Sequence, residues 1–290
     1  MVLGEVGDLV FVPELPARGT PAGMIGRSLA MLDGLDVDLQ PAGWRLTTGE
    51  SRDHRRARSL LAQDLDALEE LLPASTPTLK QQVAGPWTLA ATVERPRGDR
   101  LLADHGARRE LAESLAEGLR THIADLRRRA PKADLVVQVD EPALPAVMAG
   151  AIPTASGYGR HRSVDAPEVD RLLRMLTGAI SEAGATPVVH SCASDVPASL
   201  LAGAGFAAIS FDLSLATPED TWAAIFESGV DLWPGGGDRR AIDRWFASLG
   251  FDDAAYGDRA VVTPACGLSG LSPTEARAAL AQAQQAASTT

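Results

Sequence analysis

The amino-acid sequence predicts an α/β protein with a TIM-type (β/α)₈ barrel that forms a single domain over residues 1–290. Short apolar or β-branched runs alternate with amphipathic segments of helical length, as in repeated strand–helix units. Several runs are apolar on both faces, for example residues 135–139, which is typical of parallel strands covered on both sides. Polar, reactive side chains follow most of these runs, and the mouth of a barrel has that distribution.

Seven segments are predicted to be strands, one fewer than a complete barrel requires. Residues 1–16 have the pattern of a helix and a loop, so the chain is expected to lack the first barrel strand. We therefore expect either a seven-stranded barrel or a true start upstream of this sequence. The predicted strands are residues 36–40, 79–83, 135–139, 187–192, 207–213, 231–233 and 260–264.

Helices are predicted between the strands from apolar periodicity and capping signals. Residues 50–72 and 101–129 repeat leucine at three- and four-residue steps. Asp165 and Thr217 each stand one or two residues before a proline that precedes an acidic residue, which indicates the start of a helix. The last helix is expected to begin at Ser272, which stands three residues before a glutamate, the spacing of a capping box.

The composition is that of a globular protein with a full-sized core, because 45% of the residues are hydrophobic and 22% are charged. The net charge of −11 argues against general nucleic-acid binding, which needs a basic surface. No apolar run reaches the ~18 residues of a membrane span, and the N-terminal segment lacks the basic region of a signal peptide. We therefore expect a cytoplasmic protein whose two cysteines are thiols or metal ligands.

A candidate metal site lies at the ends of three predicted strands. His190 and Cys192 are two residues apart on one strand, so their side chains share a face. Cys266 and Asp212 stand at two other strand ends. One histidine, two cysteines and a carboxylate that meet at a barrel mouth suit zinc, which takes nitrogen and sulfur ligands tetrahedrally. The simpler alternative is a buried cysteine beside a hydrogen-bonded histidine.

Asp140 and Glu141 are candidates for substrate binding, since both follow an apolar strand. Neighbouring strand residues face opposite sides, so only one of the two carboxylates can point into the barrel. That one would anchor a substrate ammonium group or accept a proton, and the alternative is a solvated turn. The glycines of residues 235–237 suit either a close approach of the backbone to a ligand or a plain flexible turn.

Five motifs, in order over residues 85–268, resemble the catalytic domain of cobalamin-independent methionine synthase. That family is a TIM barrel in which zinc activates homocysteine for methylation by a methyltetrahydrofolate. The resemblance implies that His190, Cys192 and Cys266 bind zinc, that Asp212 stands where the family has a glutamate ligand, and that Asp140 holds the amino group of homocysteine. The motifs are Gly85-Pro86-Trp87-Thr88-Leu89, Gln138-Val139-Asp140-Glu141-Pro142-Ala143-Leu144, His190-Ser191-Cys192, Ile209-Ser210-Phe211-Asp212 and Pro264-Ala265-Cys266-Gly267-Leu268.

The sequence departs from the family at positions that serve the folate and the proton transfer. Asp212 is one methylene shorter than glutamate. Gly26 stands where the resemblance implies a second acidic anchor for the amino group, and Ala146 replaces another acidic residue. Thr92 aligns with a tryptophan that stacks on folate, and Arg240 lies near the position of a catalytic histidine. The zinc cluster therefore resembles the family's, whereas the folate apparatus does not.

These observations lead to one preferred function and two alternatives. The preferred function is a zinc-dependent methyltransferase that moves a methyl group from a methyltetrahydrofolate or a corrinoid to a thiol such as homocysteine. The first alternative is a metal-free lyase of the uroporphyrinogen decarboxylase type, in which Arg160 and Arg162 would bind substrate carboxylates. The second is a degenerate barrel that keeps the fold and binds a ligand or partner without catalysis.

Overall fold

The computed structural model describes residues 9–73 and 76–288. Within them the chain forms an α/β fold with a six-stranded parallel sheet, order β1-β4-β5-β6-β7-β8, and a separate two-stranded hairpin of β2 and β3. The strands are β1 (Leu9–Phe11), β2 (Asp36–Gln40), β3 (Gly43–Thr47), β4 (Thr78–Ala84), β5 (Asp134–Asp140), β6 (Thr186–Ser191), β7 (Ala208–Asp212) and β8 (Asp231–Gly235).

Helices follow most of the parallel strands and cover the outer face of the sheet. None of the described helices combines the length and the apolar character needed to cross a membrane. The helices are α1 (Met24–Leu29), α2 (Arg52–Leu71), α3 (Pro86–Thr92), α4 (His105–Arg129), α5 (Leu144–Met148), α6 (Ala166–Glu182), α7 (Ala198–Gly203), α8 (Asp220–Glu227), α9 (Arg239–Ser248), α10 (Asp253–Tyr256) and α11 (Pro273–Ala287).

The five central strand predictions are confirmed, and so are the helix starts predicted at Asp165 and Ser272, whereas the helix predicted from Thr217 begins at Asp220. Strands β4 to β8 contain the cores of the predicted segments and differ from them by one or two residues at their ends. The side chain of Asp165 caps α6 through the amide of Glu168. Ser272 and Glu275 form the reciprocal hydrogen bonds of a capping box at the start of α11.

Residues 36–40 form a strand as predicted, but they do not belong to the barrel. The strand β2 pairs antiparallel with β3, and Gln40 lies opposite Gly43 across a two-residue turn. Gly43 has a φ of 133°, a conformation that L side chains rarely adopt, so the glycine permits the turn. The alternating apolar pattern of β2 fits a half-buried hairpin as well as a barrel strand, and pattern alone does not distinguish them.

The predicted absence of a strand in residues 1–16 is wrong for part of that segment. Leu9–Phe11 forms the edge strand β1, which runs parallel to β4 with Leu9 opposite Thr78 and Phe11 opposite Lys80. Three residues are too few to show a periodic signal in the sequence. The remainder of that prediction, on residues 1–8, lies outside the described residues.

Residues 260–264 were predicted to be a strand and form only a single bridge, between Thr263 and Gly235 of β8. The amide of Gly236 donates to the carbonyl of Thr263 at 2.8 Å, and the amide of Thr263 donates to the carbonyl of Pro234 at 3.1 Å. Pro234 has no N–H to donate to residue 261, so the ladder does not continue on that side. In the described part of the chain, the parallel sheet therefore has six strands and forms part of a barrel.

The inner face of the sheet is apolar at one level and polar above it. A small apolar cluster lies on the inner face, separate from the large core between the sheet and the helices. Toward the carboxyl ends of the strands, buried polar side chains replace it, among them Gln138, Asp140, His190 and Ser210. The inner cluster consists of Val136, Val188, Ala208 and Trp233, with Leu9 and Val261 packed against it.

His122 of α4 makes the stability of the fold sensitive to acid. Its side chain is buried, and burial, together with the nearby charge of Arg27, lowers its pKa to about 4. The unfolded chain takes up the proton near pH 6.5, so stability falls as the pH drops from 6.5 to 4. The loss amounts to about 3 kcal/mol.

We expect His122→Gln to reduce this loss, because glutamine does not titrate. The free energy of unfolding, measured in urea at pH 4.5 to 7, should depend less on pH in the variant than in the wild type. His105→Gln on the same helix is the matched control, since the His105 side chain is 58% exposed. Equal pH dependence in His122→Gln and the wild type would contradict the prediction.

Candidate metal and substrate site

Three of the sequence-predicted ligands meet at the carboxyl end of the sheet. One donor atom each from His190, Cys192 and Cys266 lies within 4.8 Å of the others. The two sulfur atoms are 3.2 Å apart. His190 belongs to β6 and Cys192 follows it by two residues, so the strand presents both on its inner face. Cys266 comes from the segment that bridges to β8.

The ring of His190 is oriented by the neighbouring strand. His190 lies opposite Ser210 of β7, and Nδ1 is 3.0 Å from the Ser210 hydroxyl oxygen. When Nδ1 donates to that oxygen, Nε2 is left as the free lone pair. Histidines that bind metals are commonly held by such a second hydrogen bond. Ser210 therefore orients the imidazole, and the tautomer with its proton on Nδ1 has a free lone pair on Nε2 for a metal.

The two thiols lie in the same site, but their pKa values shift in opposite directions. Hydrogen bonds from Cys192 and His190 to the Cys266 sulfur lower the pKa of Cys266. The same contact, with partial burial, raises the pKa of Cys192. One thiolate is thus favoured at the site, and the thiolate is the form that binds metals and acts as a nucleophile.

Gly235 allows the Cys266 segment to approach the sheet. A Cβ atom on Gly235 would lie 2.9 Å from the Cα atom of Ala265 and 2.8 Å from the carbonyl oxygen of Phe211. A Cβ on Gly236 would lie 3.1 Å from the Cβ of Ala265. The glycine run is therefore a place of close backbone packing, and that packing brings Cys266 to Cys192.

Asp212, the predicted fourth ligand, lies at the end of β7 but outside the converging group. Its Oδ1 accepts hydrogen bonds from the amide of Ser214 at 2.9 Å and from the Ser214 hydroxyl at 2.7 Å. These bonds hold the turn after β7. The structure brings together three of the four predicted ligands and gives Asp212 a partner of its own.

Asp140 points into the barrel, as the alternation along β5 requires for one of the two neighbouring carboxylates. It lies opposite His190, and its Oδ1 accepts a hydrogen bond of 2.7 Å from Nε2 of Gln138. Burial raises the pKa of Asp140, and the charge of His190, the Gln138 hydrogen bond and the charge of Lys80 oppose the rise. The residue is therefore a buried acceptor beside the candidate metal site.

Glu141 faces away from the barrel and holds helix α3. Its carboxylate accepts hydrogen bonds from the Trp87 amide at 3.0 Å, the Thr88 amide at 2.8 Å and the Thr88 hydroxyl at 2.7 Å. Burial raises its pKa to about 7, and these bonds limit the rise. The side chain is fully buried. Its contacts are those of a helix anchor, which differs from the predicted substrate contact.

The Glu141 contact also explains why two of the sequence motifs occur together. A Cβ atom on Gly85 would lie 2.3 Å from a carboxylate oxygen of Glu141, so only glycine leaves room for that side chain. Gly85-Pro86 and Asp140-Glu141 are therefore two halves of one packing arrangement between β4, α3 and β5. Part of the motif resemblance reflects the fold and not the chemistry.

Sequence reasoning missed several residues around Asp140. Glu14 follows β1, and burial raises its pKa, while the charges that act on it include Arg27, Asp140 and Lys80. A second carboxylate thus lies near Asp140, although the glycine at position 26, in place of an acidic residue, predicts none there. Gln138 stands two residues before Asp140 on the same strand face, so the alternation could have identified it. Glu14 follows a strand that the sequence did not reveal.

An open cleft of about 500 Å³ lies beside the candidate metal site. It reaches from Asp212 to Ala265, the neighbour of Cys266, and Arg244 and Trp245 of α9 line its other side. A second cavity of about 280 Å³ lies on the opposite side of the turn after β7 and also includes Asp212. Space for an organic molecule therefore exists next to the cysteines.

Comparison with known proteins supports the fold. No protein-family model and no curated protein matches the chain. The chain is similar in structure to a B12-independent methionine synthase from Shewanella sp. W3-18-1 in complex with selenomethionine, with 16% sequence identity and a TM-score of 0.52. The match covers 77% of this chain and 65% of that synthase, so the chain spans about two thirds of its length. At this identity the likeness shows the fold alone.

Two further solved structures are more distant. One is an uncharacterized protein with 14% identity, and the other is a prolidase complexed with N-methylphosphonate-L-proline with 15% identity. Both matches cover 79% of this chain and 54% of the other chain. Their TM-scores are 0.27, which is too low to support an argument.

We expect Gly235→Ala to separate the two cysteines, because the added Cβ would displace the segment that carries Cys266. Oxidation by diamide should then form the Cys192–Cys266 disulfide more slowly, as measured by loss of free thiols. The free energy of unfolding should fall by about 1–3 kcal/mol, the usual cost of overpacking. Gly267→Ala is the matched control, since a Cβ there would meet nothing within 4 Å. Equal oxidation rates in both variants would contradict the role of Gly235.

Proposed function

We propose that the protein is a zinc-dependent S-methyltransferase that transfers a methyl group to an amino-thiol such as homocysteine. The observation that carries the proposal is the convergence of His190, Cys192 and Cys266 at the carboxyl end of a parallel sheet. The likeness to a methionine synthase fold and the order of the five sequence motifs support it. The first is a comparison of backbones and the second a comparison of residues.

The residues at the site fit zinc. Two sulfurs and one imidazole nitrogen are ligands that zinc prefers, and catalytic zinc sites commonly use three protein ligands and keep one position for a substrate. His190, Cys192 and Cys266 would hold the ion, with Ser210 orienting the imidazole. Bound zinc supplies a Lewis acid that keeps a substrate thiol deprotonated at neutral pH.

Asp140 and Glu14 would bind the amino group of the acceptor. Asp140 is buried and Glu14 is partly exposed, and the charge of Asp140 contributes to the raised pKa of Glu14. A substrate ammonium between them would relieve that repulsion and would stay close to the thiolate held by the metal. The acceptor is therefore proposed to carry an amino group and a thiol on one short chain.

The methyl donor would enter through the cleft beside Asp212 and Ala265. The acceptor sulfur forms a bond to the methyl carbon, and the bond between the methyl group and its carrier breaks with the electron pair leaving on the carrier. We propose a methyltetrahydrofolate or a methyl corrinoid as that carrier. Thr92 and Ala146, where the methionine synthase family has folate and acidic contacts, favour testing both.

The proposed partners are the small-molecule thiol and the methyl donor. We propose that the protein binds neither nucleic acid nor a membrane surface. The net charge of −11 supports this. We place the activity in the cytoplasm, where free cysteines such as Cys192 and Cys266 stay reduced. The lyase alternative is less well supported, because Arg160 and Arg162 are exposed and the neighbouring His161 is bound to Asp99.

We expect the protein, purified without chelator or histidine tag, to contain about one zinc ion per chain by metal analysis, as a three-ligand catalytic site would. Cys192→Ser and Cys266→Ser should abolish binding, because a serine hydroxyl is a poor replacement for a thiolate. Asp212→Asn should retain the metal, since asparagine can still accept from Ser214. A metal-free wild type would refute the proposed centre, and loss of zinc in Asp212→Asn would restore Asp212 to the ligand set.

We expect homocysteine added to the zinc-loaded protein at pH 7.5 to release about one proton per site, because the bound thiol ionises. Methylated product should then form with methyltetrahydrofolate or with a methyl corrinoid, detected by mass spectrometry. The Cys192→Ser variant is the control and should show neither signal. Proton release without product from either donor would favour a non-catalytic barrel.

A further inference from the structure

A buried lysine lies directly below the proposed amino-group site. Lys80 belongs to β4 and its side chain points to the inner face, where Nζ donates a hydrogen bond of 2.7 Å to Oε1 of Gln138. Gln138 in turn donates from Nε2 to Oδ1 of Asp140 at 2.7 Å. All three side chains are buried. They form a continuous chain of hydrogen bonds from the inside of the barrel to its mouth.

The chemistry of the three groups gives this series of hydrogen bonds a single direction from donor to acceptor. A lysine ammonium only donates and an ionised carboxylate only accepts. The glutamine side chain accepts through its oxygen and donates through its NH₂ group. Lys80 therefore turns the carbonyl of Gln138 toward itself, and the amide NH₂ must face Asp140. Without the ammonium, Oε1 of Gln138 would lose the hydrogen bond from Lys80, and the amide would be held at one end only.

Lysine at this position is informative, because nearly all the basic residues of the protein are arginine. Of 27 basic residues, only Lys80 and Lys132 are lysine. A planar guanidinium is larger and donates as a rigid fork, whereas an ammonium is a compact donor. Lys80 lies 5.6 Å from the ring centroid of Phe11 and fits between that ring and Gln138. The site thus holds a compact cation.

The burial of Lys80 has a cost that neighbouring carboxylates only partly offset. Burial lowers its pKa to about 8, while the charges of Asp140 and Glu14 oppose that decrease. A methionine of similar length would avoid the cost, since buried charges are often less favourable than apolar side chains of the same volume. A buried cation connected to a candidate substrate contact therefore points to a role beyond packing.

We propose that Lys80 and Gln138 are positioning residues that hold the Asp140 carboxylate in place for the amino group of the acceptor. The inference rests on the proposed function, since it concerns the acceptor of that reaction. It makes the pair a determinant of specificity, because only acceptors with an amino group benefit from an oriented Asp140. A thiol without the amino group binds through the metal alone.

The test compares homocysteine with 4-mercaptobutyrate, which is the same molecule without its amino group. Their dissociation constants are measured by isothermal titration calorimetry on zinc-loaded wild type, Lys80→Met and Gln138→Leu. Lys132→Met is the matched control, because Lys132 is exposed. Zinc content and circular dichroism establish that each variant is folded and loaded.

The affinity for homocysteine should fall about tenfold or more in Lys80→Met and Gln138→Leu, while the affinity for 4-mercaptobutyrate and both affinities of Lys132→Met stay unchanged. Equal weakening of both thiols would indicate general damage and would overturn the inference, as would unchanged binding of homocysteine.

A crystal structure of Lys80→Met gives a readout that does not need substrate. Loss of the bond between Gln138 and Asp140 supports the positioning role, and its retention overturns that role. If the wild type binds neither thiol, the proposed function fails, and this structure still decides whether Lys80 orients Gln138 and Asp140.

Discussion

The register of the parallel strands β5, β6 and β7 is the constraint on which the candidate site depends. Asp140 lies opposite His190, and His190 lies opposite Ser210, so these three side chains form a row across the inner face. A slip of one residue in either pairing would turn a whole strand's inner side chains to the helices. Such a slip would be costly, since it would turn the polar side chains of Gln138, Asp140 and His190 into the apolar core between the sheet and the helices.

Close backbone packing supplies the part of the site that the strand register does not determine. Cys266 is not carried by a strand of the sheet, and it reaches Cys192 because Gly235 leaves space for its segment against β8. Gly85 leaves space in the same way for the carboxylate of Glu141. Two glycines that seem unrelated in the sequence therefore have one function, which is to let distant segments meet where a side chain would separate them.

The neighbouring acids Asp140 and Glu141 show how burial assigns different roles to similar groups. Glu141 receives hydrogen bonds from the start of α3 and stabilises the fold, whereas Asp140 lies beside His190 of the candidate metal site. Asp212, by contrast, is held by the turn that follows it. A carboxylate near a candidate site is thus a candidate substrate contact, a helix anchor or a turn residue according to which donors surround it.

Local periodicity in the sequence determined β4 to β8, the shared face of His190 and Cys192, and the rule that one of two adjacent carboxylates faces inward. Side chains alternate between the two faces of a strand, so these features depend on neighbouring residues and not on distant segments. Only the tertiary structure decided that residues 36–40 pair within a hairpin, that β1 occupies the edge of the sheet, and that Lys80 reaches Asp140 through Gln138. Such outcomes depend on contacts between segments far apart in the chain, and a short sequence window carries no signal of them.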